Sequence, residues 1–288
     1  METVLKSRST TVAISPGRPT VLIGENISAA ARSSLADALR EGDLGPFRRE
    51  AEEQVAAGAD VLGCNVGAPG IDEVEWLPRA VRMILESVDV PISIDSADFD
   101  ALEAALATYK ELAPDGKPLI NSVNGEERYL DTILPMAADH GSAVIGMALD
   151  DEGIPETPAD RLAVARRIVD RAEAAGVPRE DVVIDCMALS VSTDPEAGRV
   201  TLDAIRQVSS ELGVNQTLGP SNISFGLPEP EKLQQAFTAM ALQSGVTCPI
   251  VNVTRERRFI MSVDVILGRD PQGLRFIEAY RQDARGEA

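Results

Sequence analysis

Gly176-Val-Pro-Arg-Glu-Asp-Val-Val-Ile-Asp185 contains the unit from which the fold is read. Gly176 stops the helical segment Ala159–Ala175, a short polar turn follows, and Val182–Asp185 reads as a buried strand ending in a carboxylate. Gly58-Ala-Asp-Val61 and Gly141-Ser-Ala-Val144 repeat the step from helix stop to strand. Working outward, candidate strands fall at Val21–Asn26, Val61–Val66, Ile92–Asp95, Leu119–Val123, Ala143–Leu149, Val182–Asp185, Gln216–Leu218 and Cys248–Val253. Helical segments lie between them: within Gly45–Gly58, then Val74–Ser87, 98–112, Tyr129–His140, Ala159–Ala175, Gly198–Gly213 and near Glu231–Gln243. Glu256–Leu267 and Gln272–Tyr280 close the chain. Eight alternations predict an α/β architecture, a (β/α)8 TIM barrel, over two unrelated domains. An open doubly wound sheet is the alternative, because the first and seventh strands are weakly marked. Residues 1–20 read as an N-terminal extension and 21–288 as a single barrel domain.

Composition suits that architecture. Of 288 residues, 44% are apolar and only 3% aromatic, so the core is built from branched aliphatics and alanine, as barrel centres are. The 27 basic residues face 46 acidic ones, and the net charge of -19 repels nucleic-acid backbones and anionic membranes. The first 20 residues lack the apolar core of a signal peptide, and no later run approaches a membrane span. Cys64, Cys186 and Cys248 are isolated and odd in number, which fits buried free thiols in a reducing cytoplasm better than a disulfide framework. A zinc–thiolate reading fails on spacing, and Cys248 should sit at the barrel end opposite Cys64 and Cys186.

The apolar runs share a second property: they end in Asp or Asn. Val61-Leu-Gly-Cys-Asn-Val66, Pro91-Ile-Ser-Ile-Asp95, Pro118-Leu-Ile-Asn-Ser-Val-Asn124, Val182-Val-Ile-Asp185 and Leu218-Gly-Pro-Ser-Asn222 all follow this pattern. Asp95, Asn121, Asp185 and Asn222 are therefore expected to converge on the C-terminal mouth, where barrel enzymes place their sites. Carboxylates there accept N–H bonds, and amides both donate and accept, a combination suited to a polar heterocycle. Any one of these residues taken singly reads equally well as a cap or turn former. Four in one register favour a shared site.

Several stretches together resemble the pterin-binding methyltransferases, in particular the methyltetrahydrofolate:corrinoid methyltransferases, which are related to dihydropteroate synthase. They are Ile23-Gly-Glu-Asn-Ile27, Asn65-Val-Gly67, Ile94-Asp-Ser96, Ile120-Asn-Ser-Val-Asn124, His140-Gly-Ser-Ala-Val-Ile-Gly146, Val183-Ile-Asp185 and Gly219-Pro-Ser-Asn-Ile-Ser224. The likeness runs from about residue 20 to about residue 280. It implies a (β/α)8 barrel in which Asp95, Asn121 and Asp185 hydrogen-bond the pterin, with Asn65, Ser96 and Gly219 among the binding positions. Asn222 matches the residue beside N5, the nitrogen that carries the transferred methyl group. The resemblance further implies a homodimer and tetrahydrofolate or 5-methyltetrahydrofolate as substrate. It also implies a corrinoid (cobalamin-type) group on a partner protein, either loaded in one-carbon metabolism or drained in O-demethylation.

Two departures stand out. The family usually carries Asp two residues before the Asn of Asn65-Val-Gly67, where this chain has Gly63, and relatives commonly read Glu-Arg where it has Glu25-Asn26. The chain also lacks an Asp-x-His-x-x-Gly cobalt-ligating motif; its one histidine, His140, precedes a glycine at a helix end expected on the bottom face. A dihydropteroate-synthase-like enzyme and a non-catalytic pterin-binding module are the rival readings. Glu126-Glu-Arg128 and the basic patch Thr254-Arg-Glu-Arg-Arg258 lie in loops after strands, and each reads either as a ligand contact or as a solvated charge network. The loop Ser190–Gly198 is placed to order over a ligand.

Overall fold

A computed structural model describes residues 1–29 and 32–285, the side chains of Asn26 and of 282–285 excepted. Eight parallel strands form one sheet: β3 (Ile23–Ser28), β4 (Val61–Asn65), β5 (Ile92–Asp95), β6 (Leu119–Asn124), β7 (Ala143–Met147), β8 (Val182–Asp185), β9 (Asn215–Thr217) and β10 (Ile250–Val251). Their order is β10-β3-β4-β5-β6-β7-β8-β9. Backbone bonds from Ile250 N to Leu218 O (2.9 Å) and Cys248 N to Gln216 O (3.2 Å) draw β10 against β9, and the sheet closes into the (β/α)8 barrel.

The helices surround it: α1 (Ser33–Arg40), α2 (Gly45–Ala56), α3 (Glu73–Ser87), α4 (Phe99–Leu112), α5 (Glu127–Asp139), α6 (Pro158–Ala174), α7 (Ala197–Glu211), α8 (Pro230–Ser244), α9 (Val253–Ile266) and α10 (Leu274–Arg285). Local chemistry sets their starts. Asp72, Asp98, Thr157 and Asn252 each accept a backbone N–H of the first turn of α3, α4, α6 and α9. Their ends are equally legible, since Gly58 and Gly176 adopt φ of +98° and +95°, a left-handed conformation that favours glycine.

Because side chains alternate along a strand, each strand sends one set outward to the helices and the other into the lumen. Leu62, Cys64, Ile92, Ile94, Ile120, Ile184 and Cys186 face outward and share the helix-covered core. Val61, Leu119, Ala143, Ile145, Val183 and Cys248 fill the lower lumen. Cys248 thus lies at the opposite end from Cys64 and Cys186, and all three thiols are free and buried.

The segment expected as an extension contains a hairpin, β1 (Thr3–Lys6) and β2 (Thr11–Ile14), whose fully buried Leu5 and Ile14 join the lower-lumen cluster. Asn215 Nδ2 donates to Thr3 Oγ1 (2.9 Å) and Ile14 O (3.0 Å), fastening the hairpin to the foot of β9. Asp89 accepts from Ser7 Oγ (2.6 Å), Arg8 N (3.1 Å) and Ser9 in the hairpin turn. The floor of the barrel is therefore closed by the hairpin. Among the described residues no helix is long and apolar enough to cross a membrane.

Candidate functional site

The strand register builds the mouth. Two residues above Leu119 and Val183, on the same lumen-facing side, stand Asn121 and Asp185. Asp95 pairs in register with Asn121, and Asn121 Nδ2 lies 3.5 Å from Asp95 Oδ2. Asp185 is flanked in register by Met147 and Thr217. The structure thus brings Asp95, Asn121 and Asp185 to the top of one lumen, as expected from their strand-end positions.

Asp185 is strongly perturbed. Burial pushes its carboxyl up to about 6, opposed by the Met187 N–H, which donates to Oδ1 at 2.7 Å, and by the Arg161 charge. Its conformation is fixed from behind. Arg161, 2% exposed, donates to Pro155 O (2.8 Å), Cys186 O (2.9 Å), Met187 O (2.7 Å) and Thr201 Oγ1 (3.1 Å). A single buried guanidinium therefore clamps the loop that follows Asp185, where Met187 holds a left-handed φ of 60°.

Asn65 stands at the end of β4 with its carbonyl engaged by Gly67 N (2.9 Å). A Cβ at Gly67 would lie 3.0 Å from Glu73 Oε1 and 3.3 Å from Asn65 Oδ1, so a side chain here would crowd both polar groups. Below Asn65 on the lumen side, Gly63 pairs with Ser93, whose buried hydroxyl has no hydrogen-bond partner among the described residues. The wall where the resemblance led to an expected Asp is thus lined here by a glycine and an uncommitted hydroxyl. Ser96 is placed differently from the lumen residues. It is 4% exposed and donates to Glu73 Oε2 (2.7 Å) while accepting from Asp98 N (3.0 Å), so its hydroxyl holds the start of α4 to α3.

Gly219 and Asn222 belong to the turn after β9, where Asn222 is exposed in the 3-10 segment Pro220–Ser224. The turn is held by Ser224 Oγ to Ser221 O (3.1 Å) and by Gln234 Nε2 to Ser224 Oγ (2.8 Å). The loop Ser190–Gly198 is stapled to it, with Val191 N donating to Ile223 O (3.1 Å) and Ser190 and Ser192 hydroxyls to Phe225 O (2.7 and 2.9 Å). Loop and turn therefore form one rim segment over the Asp185 side.

The two charged motifs expected in loops lie instead at the starts of α5 and α9, and they resolve mainly into structural contacts. Glu126 pairs with Asn124, Glu127 with Arg167 and Arg171, and Arg128 lies over the Phe99 ring at 4.9 Å. In the basic patch, Arg255 meets Glu231 (2.9 Å), Arg257 packs against Gly58 and Arg258 lies over Phe276 at 4.9 Å. His140 contacts Glu103 (2.9 Å) at the foot of α5, and Trp76 stacks with Arg79 at 4.0 Å. The thiols are held far from thiolate chemistry, since burial pushes Cys64 and Cys248 up to about 12 and Cys186 higher still. Among the described residues no group of three or more His, Cys, Asp or Glu is placed to hold a metal ion.

A lumen ringed by carboxylate, amide and carboxylate offers both acceptors and donors, a combination that suits a flat polar ring. Residues 26–252 match the family described as "Pterin binding enzyme". The chain belongs to that family. Methylcorrinoid:tetrahydrofolate methyltransferase of Eubacterium limosum is 28% identical over 274 residues, covering 92% of this chain and 98% of that one. Methionine synthase of Mycobacterium leprae is 30% identical over 253 residues, 83% of this pterin-binding chain but only 20% of the synthase. Among solved structures, dihydropteroate synthase of Yersinia pestis superposes with a TM-score of 0.70 at 16% identity, covering 92% of this chain and 99% of that one. The Thermus thermophilus enzyme gives 0.64 at 22%, covering 91% and 99%. At such identities these structures speak to the fold alone.

Arg161 and the buried Glu256 of α9 were not singled out by their sequence context. Arg161 opens a helix that also carries Arg166, Arg167 and Arg171, and nothing in the spacing marks it as the buried one.

Proposed function

We propose that this pterin-binding enzyme moves a methyl group between N5 of tetrahydrofolate and the cobalt of a corrinoid borne by a separate protein. The observation that carries the reading is the end-to-end match to the Eubacterium limosum methyltransferase, over 92% of this chain and 98% of that one. The site is chemically consistent with it. Asp95 and Asp185 accept N–H bonds from an amino-pyrimidinone edge, Asn121 both donates and accepts, and their contribution is positional. On the rim next to Asp185, the exposed amide of Asn222 is free to rotate toward N5 as charge develops there.

The chemistry is a nucleophilic displacement. The corrinoid is a substrate delivered to the rim, and its reduced cobalt attacks the methyl carbon. The C–N5 bond breaks with its electron pair left on N5, which must then gain a proton. In the other direction N5 attacks a methylated corrinoid and sheds that proton, and the same residues serve both ways. Asn65 supports the ring edge where Gly63 leaves no carboxylate, and Gly219 opens the turn that carries Asn222. Ser96 contributes by fixing the loop after Asp95.

The protein is read as a cytoplasmic homodimer. The apolar groove between α7 and α8, lined by Leu202, Ile223, Leu233, Phe237 and Met240, offers a face for a second copy, and the buried free thiols suit a reducing compartment. The dihydropteroate-synthase-like alternative rests on fold likeness below 25% identity and has no residue-level support in this rim. Mixing the protein with 5-methyltetrahydrofolate and a reduced corrinoid protein tests the reading. Enzyme-dependent loss of the reduced-cobalt absorption supports it, and pterin binding without that change opposes it.

A further inference from the structure

A small polar cavity of about 180 Å³ lies behind the turn that carries Asn222. Glu25, Ser221, Gln234, Asn252, Arg255 and Glu256 line it. It sits beside β9, β10 and β3, the arc of the barrel that faces β5 and β6 across the mouth. The pterin-binding set uses none of these side chains. A cavity of this size and polarity has room for several waters.

Glu256 is the unusual member. It is 6% exposed, and its Oε2 is buried with no hydrogen-bond partner among the described residues. The groups facing it come from three elements. Gln235 of α8 favours the charged form of the carboxyl, Glu231 of α8 and Glu25 of β3 are like-charged, and Arg255 of its own helix is turned to Glu231 at 2.9 Å. A buried carboxylate oxygen without a donor is costly, whereas a protonated carboxyl or one bonded to cavity water is not. Burial foremost, with the neighbouring Glu231 and Glu25 charges, raises its affinity for a proton above that of an ordinary glutamate, against Gln235 and Arg255.

The proposed reaction consumes a proton at N5, and the Asn222 amide can orient that nitrogen but cannot protonate it. We propose that Glu256 is the proton relay for this step, passing its proton through water in the cavity past Ser221 to the site beside Asn222; the inference rests on the methyl-transfer reading. As the C–N5 bond breaks, the electron pair left on nitrogen takes the proton, and Glu256 becomes a carboxylate that regains a proton from solvent. In reverse, N5 forms its bond to the methyl carbon as the cobalt–carbon bond breaks with its electron pair left on cobalt, and N5 loses its proton to the Glu256 carboxylate. The turn is coupled to the cavity wall through Gln234, Ser224 and Ser221, so the relay and Asn222 share one support.

Single-turnover transfer from 5-methyltetrahydrofolate to a reduced corrinoid protein, measured across pH, tests the relay with wild type, E256Q and E256D. The wild-type rate falls as pH rises through the Glu256 titration. E256Q runs about 100-fold slower on the wild-type plateau, the scale of a lost general acid, and loses that limb. E256D restores part of both, and pterin affinity by calorimetry stays at the wild-type value in all three. An active wild type whose E256Q variant keeps the same rate and pH profile overturns the relay alone. So does an E256Q variant slowed equally at every pH with weakened pterin binding, which marks a structural role. A wild type that binds pterin but transfers nothing overturns the methyl-transfer reading, and the relay with it.

Discussion

Replacing Asp185 with asparagine should make the ligand-free protein more stable and the site weaker, and the two effects should follow pH in opposite senses. Burial holds the Asp185 carboxyl at about 6 in place of 3.8, so the folded state keeps a proton that the unfolded chain has already released. Ionising it in the folded state therefore costs stability. The cost is absent below the unfolded value of 3.8, grows as pH rises from there, and is complete above about 6. A displacement of roughly 2 units sets its upper limit at ~3 kcal/mol. The substituted amide carries no charge, yet its side-chain oxygen still accepts the Met187 N–H bond seen at 2.7 Å. The stability difference between Asp185→Asn and wild type, from urea unfolding at a series of pH values, should start near zero at about pH 4 and rise toward ~3 kcal/mol above about pH 6. Pterin affinity should change the other way. A carboxylate pairing with buried N–H donors makes the variant bind roughly 1–3 kcal/mol more weakly at neutral pH. Wild-type binding should also weaken as pH falls through about 6, a dependence the variant lacks. A stability difference that is absent or independent of pH would refute the claim that Asp185 is held in an unfavourable, ligand-ready state.

Three further outcomes are expected. Asn222→Ala should slow methyl transfer in stopped-flow measurements by about 10²-fold, the scale for one lost transition-state donor, with a much smaller change in pterin affinity; an unchanged rate removes Asn222 from the reaction. Arg161→Met should leave the carbonyls of Pro155, Cys186 and Met187 without their donor, costing at least ~2 kcal/mol in denaturant unfolding, and should weaken pterin binding through the loop after Asp185. Arg161→Lys should recover part of both losses, and wild-type stability in the Met variant would discount the clamp. Asp89 is opposed by burial, but bonds from Ser7 and Ser9 with the Arg8 charge hold it at about 2, below 3.8, so it stabilises the hairpin turn above pH 3.8 and loses that effect as pH falls toward 2. Asp89→Asn should thus cost about 1–2 kcal/mol at neutral pH and nothing in strong acid, read by chemical unfolding at both pH values.

The barrel was legible wherever sequence-local rules decide the outcome. Ile92–Asp95 and Val182–Asp185 have the expected bounds, because a short branched run that follows Pro91 in one case and the Gly176 stop in the other, and ends in a carboxylate, leaves little choice. The expected strand Cys248–Val253 contracts to Ile250–Val251, because Cys248 bonds Gln216 in the closure of the ring and Val253 already begins α9. The hairpin over Thr3–Ile14 was not legible. Its strands are short, their apolar positions few, and the surface that Leu5 and Ile14 cover is the barrel floor, assembled from residues up to Cys248. Helix α1 was not legible either, since β3 is followed by two helices, α1 and α2, where the alternation of strand and helix leads to one.

Within the site, the same distinction holds. The lumen positions of Asp95, Asn121 and Asp185 follow from a period of two along strands whose ends are marked. Ser96 shares the motif but follows the strand end, and there the demands of the α4 cap and Glu73 take its hydroxyl. Thr254-Arg-Glu-Arg-Arg258 reads as a basic patch because composition cannot show that its arginines turn to α8, Gly58 and α10 while the glutamate turns inward. Burial of one charge among many is a tertiary fact, and both Arg161 and Glu256 became visible only through it.

The most direct measurement of the central claim is the cobalt absorption of a reduced corrinoid protein from the same genome, followed after mixing with 5-methyltetrahydrofolate and this enzyme. The account predicts a methyl-cobalt spectrum that appears at a rate proportional to enzyme, and the reverse change when methylated corrinoid meets tetrahydrofolate. Saturable pterin binding with no spectral change in either direction, against every corrinoid protein of that genome, would contradict it.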